Sequence, residues 1–169
     1  DNESDGCGTN NCTLREAITD AADGDTIDFS VTGTITLTSG QLTIDKDLTI
    51  TGPGAAQLTI SGNSNSRVFT INSGTTVTMS GLTIADGEVF GDGGGIFNQG
   101  TLTIEDSTIS GNTAFFGGGI YNINGTVTIE NSTISGNTAY SRGGGIYNNN
   151  DTLTIENSII SDNVSDEEG

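Results

Sequence analysis

The 169-residue sequence contains no histidine, one lysine, three arginines, one proline and two cysteines. Without histidine the commonest general base is missing, and acid–base chemistry falls to carboxylates. Two thiols without histidine also make a poor zinc site. Four basic residues stand against 22 acidic ones, a formal charge of −18, which repels phosphate backbones and anionic membranes. Nucleic acid is therefore excluded as a partner. No apolar run approaches the ~18 residues that span a bilayer, and no membrane insertion is expected. The apolar fraction, 31%, is low for an ordinary globular core. The length suits one domain with a thin core. Neither a leading Met nor a signal-like segment is present, as in a mature or trimmed exported fragment.

What is present is patterned. Thr13-Leu14-Arg15-Glu16 is a capping box, in which Thr accepts from the Glu16 amide and Glu16 reaches back to the Thr13 N–H. Leu14, Ala17, Ile18 and Ala21 then share one helical face, and Asp23-Gly24 offers a left-handed stop. A helix over about Leu14 to Ala22 is predicted. From Thr26 the period changes to two, with Ile27/Phe29, Ile35/Leu37, Leu42/Ile44 and Leu48/Ile50 alternating with polar neighbours, as in strands with one buried face.

Self-similarity decides the fold class. Thr76-Val-Thr-Met79, Thr101-Leu-Thr-Ile104, Thr126-Val-Thr-Ile129 and Thr152-Leu-Thr-Ile155 recur at 25 or 26 residues. Ser-Thr-Ile-Ser-Gly-Asn at 107–112 and 132–137 returns as Ser158-Ile-Ile-Ser-Asp-Asn163, and Gly-Gly-Gly-Ile recurs at 93, 117 and 143. Three short strands and three turns per unit make one coil of an all-β parallel β-helix, or solenoid. Stacked coils place equivalent residues ~4.8 Å apart, so inward Ile and Leu form ladders and a thin core suffices. Asn112/137/163 and Asn98/122/148 should stack at two corners and bond to one another and to turn backbone. Residues 51–75, with strands at Leu58–Ile60 and Val68–Ile71, form a less regular coil. Residues 1–25 are a cap of loop and helix, and residues 26–169 are the solenoid, all one domain.

Cys12-Thr-Leu-Arg-Glu-Ala17, Gly24-Asp-Thr-Ile-Asp-Phe29 and the Gly-Gly-Gly-Ile-Tyr-Asn repeats resemble bacterial surface proteins that open with a Cys-Ser-Leu-Arg-Glu-Ala motif and continue as a pectate-lyase-like β-helix. The resemblance covers nearly the whole chain. It implies a right-handed coil, export, a helix closing one end, and an adhesion or envelope role, often without catalysis. Thr13 replaces the family's Ser and keeps the capping chemistry. The chain is also short for that family.

Several residues are candidates for a site. Cys7 and Cys12 are close enough to close a small loop, and are read as a disulfide in an oxidising compartment. Outward Thr pairs at Thr76/Thr78, Thr101/Thr103, Thr126/Thr128 and Thr152/Thr154 form a two-column grid, ~7 Å by ~4.8 Å, similar to the face with which β-solenoid antifreeze proteins order water. Thr83, Thr108 and Thr133 extend it. Thr is also a good exposed β-former. Glu105, Glu130 and Glu156 recur at the turn after the Thr-x-Thr strand. They repel by about 1 kcal/mol across a rung in water, and calcium, the one candidate cofactor, would relieve this. Arg67 with Asp86 and Asp92 is the nearest approach to a lyase-like group. Phe97, Tyr121 and Tyr147 form an aromatic column, structural or, if outward, able to stack on sugars. The expected function is a non-catalytic extracellular or cell-surface module, with ice binding and polysaccharide cleavage as alternatives. Glycan, protein or ice are the expected partners, and a monomer the expected state. Asp162, Asp166, Glu167 and Glu168 would oppose end-to-end stacking.

Overall fold

A computed structural model describes residues 12–149 and 151–166. Cys7, and with it the Cys7–Cys12 pairing, lies outside the described residues, as do Glu167 and Glu168.

The helix α1 spans Leu14–Asp20. The capping box forms in both directions, Glu16 N donating to Thr13 Oγ1 at 3.2 Å and Thr13 N donating to Glu16 Oε2 at 3.0 Å. Leu14 and Ile18 are buried, with Ala17 and Ala21 packed against the core. The helix ends two residues before the predicted Ala22, and Gly24 is not its stop. Ala21 already leaves at φ −57°, ψ 141°. The Lys46 ammonium donates to the carbonyls of Thr19 and Ala21 at 2.9 and 3.0 Å, satisfying helix-end acceptors that a left-handed glycine would otherwise cover. Gly24, at φ +83°, instead turns the chain into the first strand. Arg15 ties the cap down, donating to the carbonyls of Gln41 at 2.8 Å and Gly40 at 2.5 Å.

The body is a parallel β-solenoid of about six coils, as the 25-residue repeat predicts. One six-stranded sheet joins Asp25–Asp28, Leu48–Thr51, Thr76–Ser80, Thr101–Glu105, Thr126–Glu130 and Thr152–Glu156. A second joins Gly33–Thr36, Leu58–Ser61, Thr83–Ala85, Thr108–Ser110, Thr133–Ser135 and Ile159–Ser161. A five-stranded sheet runs from Leu42–Ile44 through Phe69–Ile71, Ile96–Asn98 and Ile120–Asn122 to Ile146–Asn148. The three-strand expectation holds only in part. The last three coils carry a fourth strand, Thr113–Phe116, Thr138–Arg142 and Val164–Ser165.

Inward residues stack by kind: Ile27, Ile50, Met79, Ile104, Ile129 and Ile155 form one ladder. Ile35, Ile60, Ile84, Ile109, Ile134 and Ile160 form another. The ladders are fully buried in the middle coils, whereas Ile155 and Ile160 of the last are 39% and 48% exposed. The step from Thr49 to Thr78 is longer than later ones because Gly52–Gln57 forms an extra turn, closed by Gln57 N donating to Gly54 O at 2.8 Å. This is the irregular coil expected over 51–75.

Both asparagine columns are internal. Asn98, Asn112, Asn122 and Asn137 are fully buried. Asn98 Nδ2 donates to Asn122 Oδ1, and Asn122 Nδ2 to Asn148 Oδ1, both at 2.7 Å. Asn112 and Asn137 each donate from backbone and side chain to the amide oxygen one coil on. Buried turn backbone is thereby satisfied, as a close-packed solenoid requires. The Gly-Gly-Gly corner has a steric cause: Gly117 sits at φ +63°, and a Cβ on Gly118 would lie 2.3 Å from Thr138 O.

Candidate functional site

Two surfaces stand out. The first is the outer face of the first sheet. Thr76, Thr101, Thr126 and Thr152 pair rung on rung, and so do Thr78, Thr103, Thr128 and Thr154. The second column runs further than the repeat motif suggests, through Thr49 to Thr26, so it crosses all six coils. The signal was present in Thr26-Ile27 and Thr49-Ile50, a polar–apolar step matching Thr103-Ile104. The first column stops below Thr76, where Asp47 Oδ1 accepts from the Thr76 amide at 2.6 Å. Thr34, Thr59, Thr83, Thr108 and Thr133 align on the second sheet, where Ile159 takes the last place.

The glutamates belong to this face. Glu105, Glu130 and Glu156 are not turn residues but the last residues of their strands. They alternate with the Thr pair and form a third outward column beside it. They stack in register. Among the described residues no group of three or more His, Cys, Asp or Glu comes together to hold a metal ion. An open groove of about 690 Å³ follows the edge of the face, lined by Thr76, Gly100, Thr101, Asn124, Thr126 and Thr152. It contains no aromatic ring.

The second surface is the flank built by the fourth strand. Phe97, Tyr121 and Tyr147 stack in register as predicted, at 5.5 and 5.4 Å between ring centroids. They are largely covered: Phe116 packs on Tyr147 at 5.2 Å and on Tyr121 at 6.4 Å, and Arg67 lies 4.9 Å above the Phe97 ring. Tyr121 is 7% exposed, and burial, then the nearby Asp92, pushes its phenol above the usual range. This column is a structural ladder. The exposed rings are others, which sequence reasoning missed: Phe90 at 92%, Phe115 at 45% and Tyr140 at 42%. Asn112-Thr-Ala-Phe115 and Asn137-Thr-Ala-Tyr140 carry an aromatic at one offset, which was the available signal.

Arg67, Asp86 and Asp92 do not assemble as a lyase-like group. Arg67 Nε and Nη2 donate to the Asp92 carbonyl, Nε also to the Gly93 carbonyl at 2.8 Å, and Nη1 to Gln41 Oε1 and Thr70 Oγ1. The guanidinium is occupied in holding a corner. Burial raises the Asp92 carboxyl pKa, with Arg67 opposing. Asp86 accepts from Ser61 Oγ at 3.1 Å.

No helix among the described residues is long and apolar enough to cross a membrane. No protein-family model, curated protein or solved structure matches the chain.

Proposed function

We propose that the chain is a non-catalytic module of an exported bacterial surface protein, a rigid rod that holds an adhesive surface away from the cell. The observation that carries this reading is the division of its outer surface: in-register polar columns on one side and exposed aromatic rings on another, over a core continuous through the coils. The Cys12–Ala17 motif and its resemblance to bacterial surface β-helices support export. With the Arg67 guanidinium engaged by Asp92, Gly93, Gln41 and Thr70 and histidine absent, no release of unsaturated sugars from acidic glycans is expected. An antibody raised against the purified chain tests the placement. It should label intact cells that produce the protein. Labelling only after permeabilisation would overturn the reading.

A second reading, ice binding by the Thr face, is favoured by one observation, the Thr column spanning all six coils. It requires affinity for ice planes that Thr103→Tyr/Thr128→Tyr abolishes. The adjoining Glu column weighs against it, since strongly hydrated carboxylates disturb an ordered water layer.

A further inference from the structure

We infer that the ledge made by Phe90, Phe115 and Tyr140, with Arg142 at its edge, is a binding site for neutral polysaccharides of equatorially substituted pyranose units. The inference rests on the surface-adhesion reading and names its ligand class.

The ledge comes from a local departure from the repeat. Ala114 pairs with Ala139, but the register shifts before Phe116 meets Arg142. Phe115 therefore stands opposite two residues, Tyr140 and Ser141, a bulge of the kind that re-aims side chains. Glu88 and Asp92 bridge to Thr113 and Phe116, so the segment carrying Phe90 is likewise longer than its neighbour. Phe90 and Tyr140 project from either side with their rings 6.4 Å apart and only 14° from parallel. Phe115 rests edge-on against Phe116 at 4.8 Å, and Phe116 rests on the buried tyrosine ladder. Of nine aromatic residues in the chain, seven make these contacts. Phe115 thus rests on a packed foundation, whereas Phe90 and Tyr140 stand out from it and meet each other. Aromatic side chains, with two rotatable bonds, lose little freedom when a ligand lands.

Chemistry narrows the ligand. A pyranose with equatorial substituents has axial C–H bonds on both faces and hydroxyls at its rim. The ledge offers the complement: aromatic faces, the exposed Glu88 on the segment that carries Phe90 as an acceptor, and the exposed Arg142 on the strand that carries Tyr140 as a donor. Arg15, Lys46 and Arg67 all donate to protein acceptors, whereas the exposed Arg142 guanidinium makes no hydrogen bond or ion pair among the described residues. The net charge of −18, with Glu88 and Asp92 on this flank, disfavours an anionic polymer. A protein partner fits less well. The exposed parts of the three rings offer on the order of 350 Å², under half of the ~800 Å² that each partner buries in a stable interface.

Depletion of the protein from solution by amorphous cellulose and by chitin, with a polygalacturonate gel in parallel, tests this. Retention on a neutral polymer is expected, with Phe90→Ala/Tyr140→Ala weakening it about tenfold, or ~1.4 kcal/mol, and leaving the melting temperature unchanged. Retention on neither neutral polymer, equal retention of the variant, or preference for polygalacturonate would overturn the assignment. Intact-cell labelling without retention sinks the sugar assignment alone. Retention lost in the variant, but with no surface labelling, sinks the surface reading and leaves the sugar site.

Discussion

Thr103 and Phe115 belong to the same coil, yet they reach the surface by opposite routes. Thr103 is one rung of a column that the repeat imposes, paired above and below with Thr128 and Thr78. Phe115 sits where the repeat fails, at a register shift, with Phe90 and Tyr140 on either side. The first kind of position serves the fold, because in-register identity lets each coil template the next. The second kind is free of that duty and open to be shaped by a ligand. In this solenoid the regular columns serve the fold, and the proposed site lies where the repeat fails.

This contrast can be broken or sharpened experimentally. The largest effect should come from Asn137→Ala, since the Asn137 amide donates to Ile109 O at 2.9 Å and to Asn163, and accepts from Asn112. Orphaning those buried groups should cost about 3–4 kcal/mol in urea unfolding, and any glycan binding should survive as long as the chain stays folded. Arg15→Met frees the cap helix from Gly40 and Gln41 and should cost about 2 kcal/mol, again by denaturant titration. Phe90→Ala/Tyr140→Ala should do the reverse, with stability within ~0.5 kcal/mol of the parent and sugar retention down about tenfold.

The smallest effect concerns Asp92. Its folded-state pKa is raised, chiefly by burial, so the fold binds that proton more tightly than the unfolded chain does. The stability linked to it is fully present below the ordinary Asp pKa and is lost as pH rises through the folded value. Asp92→Asn should therefore be slightly more stable than the parent at neutral pH, and the difference should vanish in acid. A difference growing toward acid would reverse the assignment.

Much of the architecture was legible because periodicity is local information. Thr-Leu-Thr-Ile at 25-residue steps fixes strand, inward face and rung together, and the two Asn columns follow from the same count. The Thr13–Glu16 box gave the start of the helix, but its end depended on Lys46 reaching back from the next coil, a contact between residues far apart in sequence. The fourth strand escaped because Thr113–Phe116 and Thr138–Arg142 differ in length, so their repeat is imperfect. Glu105, Glu130 and Glu156 extend their strands beyond the Thr-x-Thr core, and the repeat motif alone does not mark where a strand ends. For the aromatics, the sequence pointed to the column at 97, 121 and 147. It could not tell that Phe116 would cover those rings while the bulge left Phe90, Phe115 and Tyr140 outside.

The most direct test pairs two variants, Phe90→Ala/Tyr140→Ala and Thr103→Ala/Thr128→Ala, each measured for melting temperature and for retention on amorphous cellulose and chitin. The expected result is that the aromatic pair loses retention and keeps its melting temperature, while the threonine pair keeps retention and melts lower. Retention that follows the threonines, or melting that follows the exposed aromatics, would contradict the division between columns that build the fold and exceptions that bind.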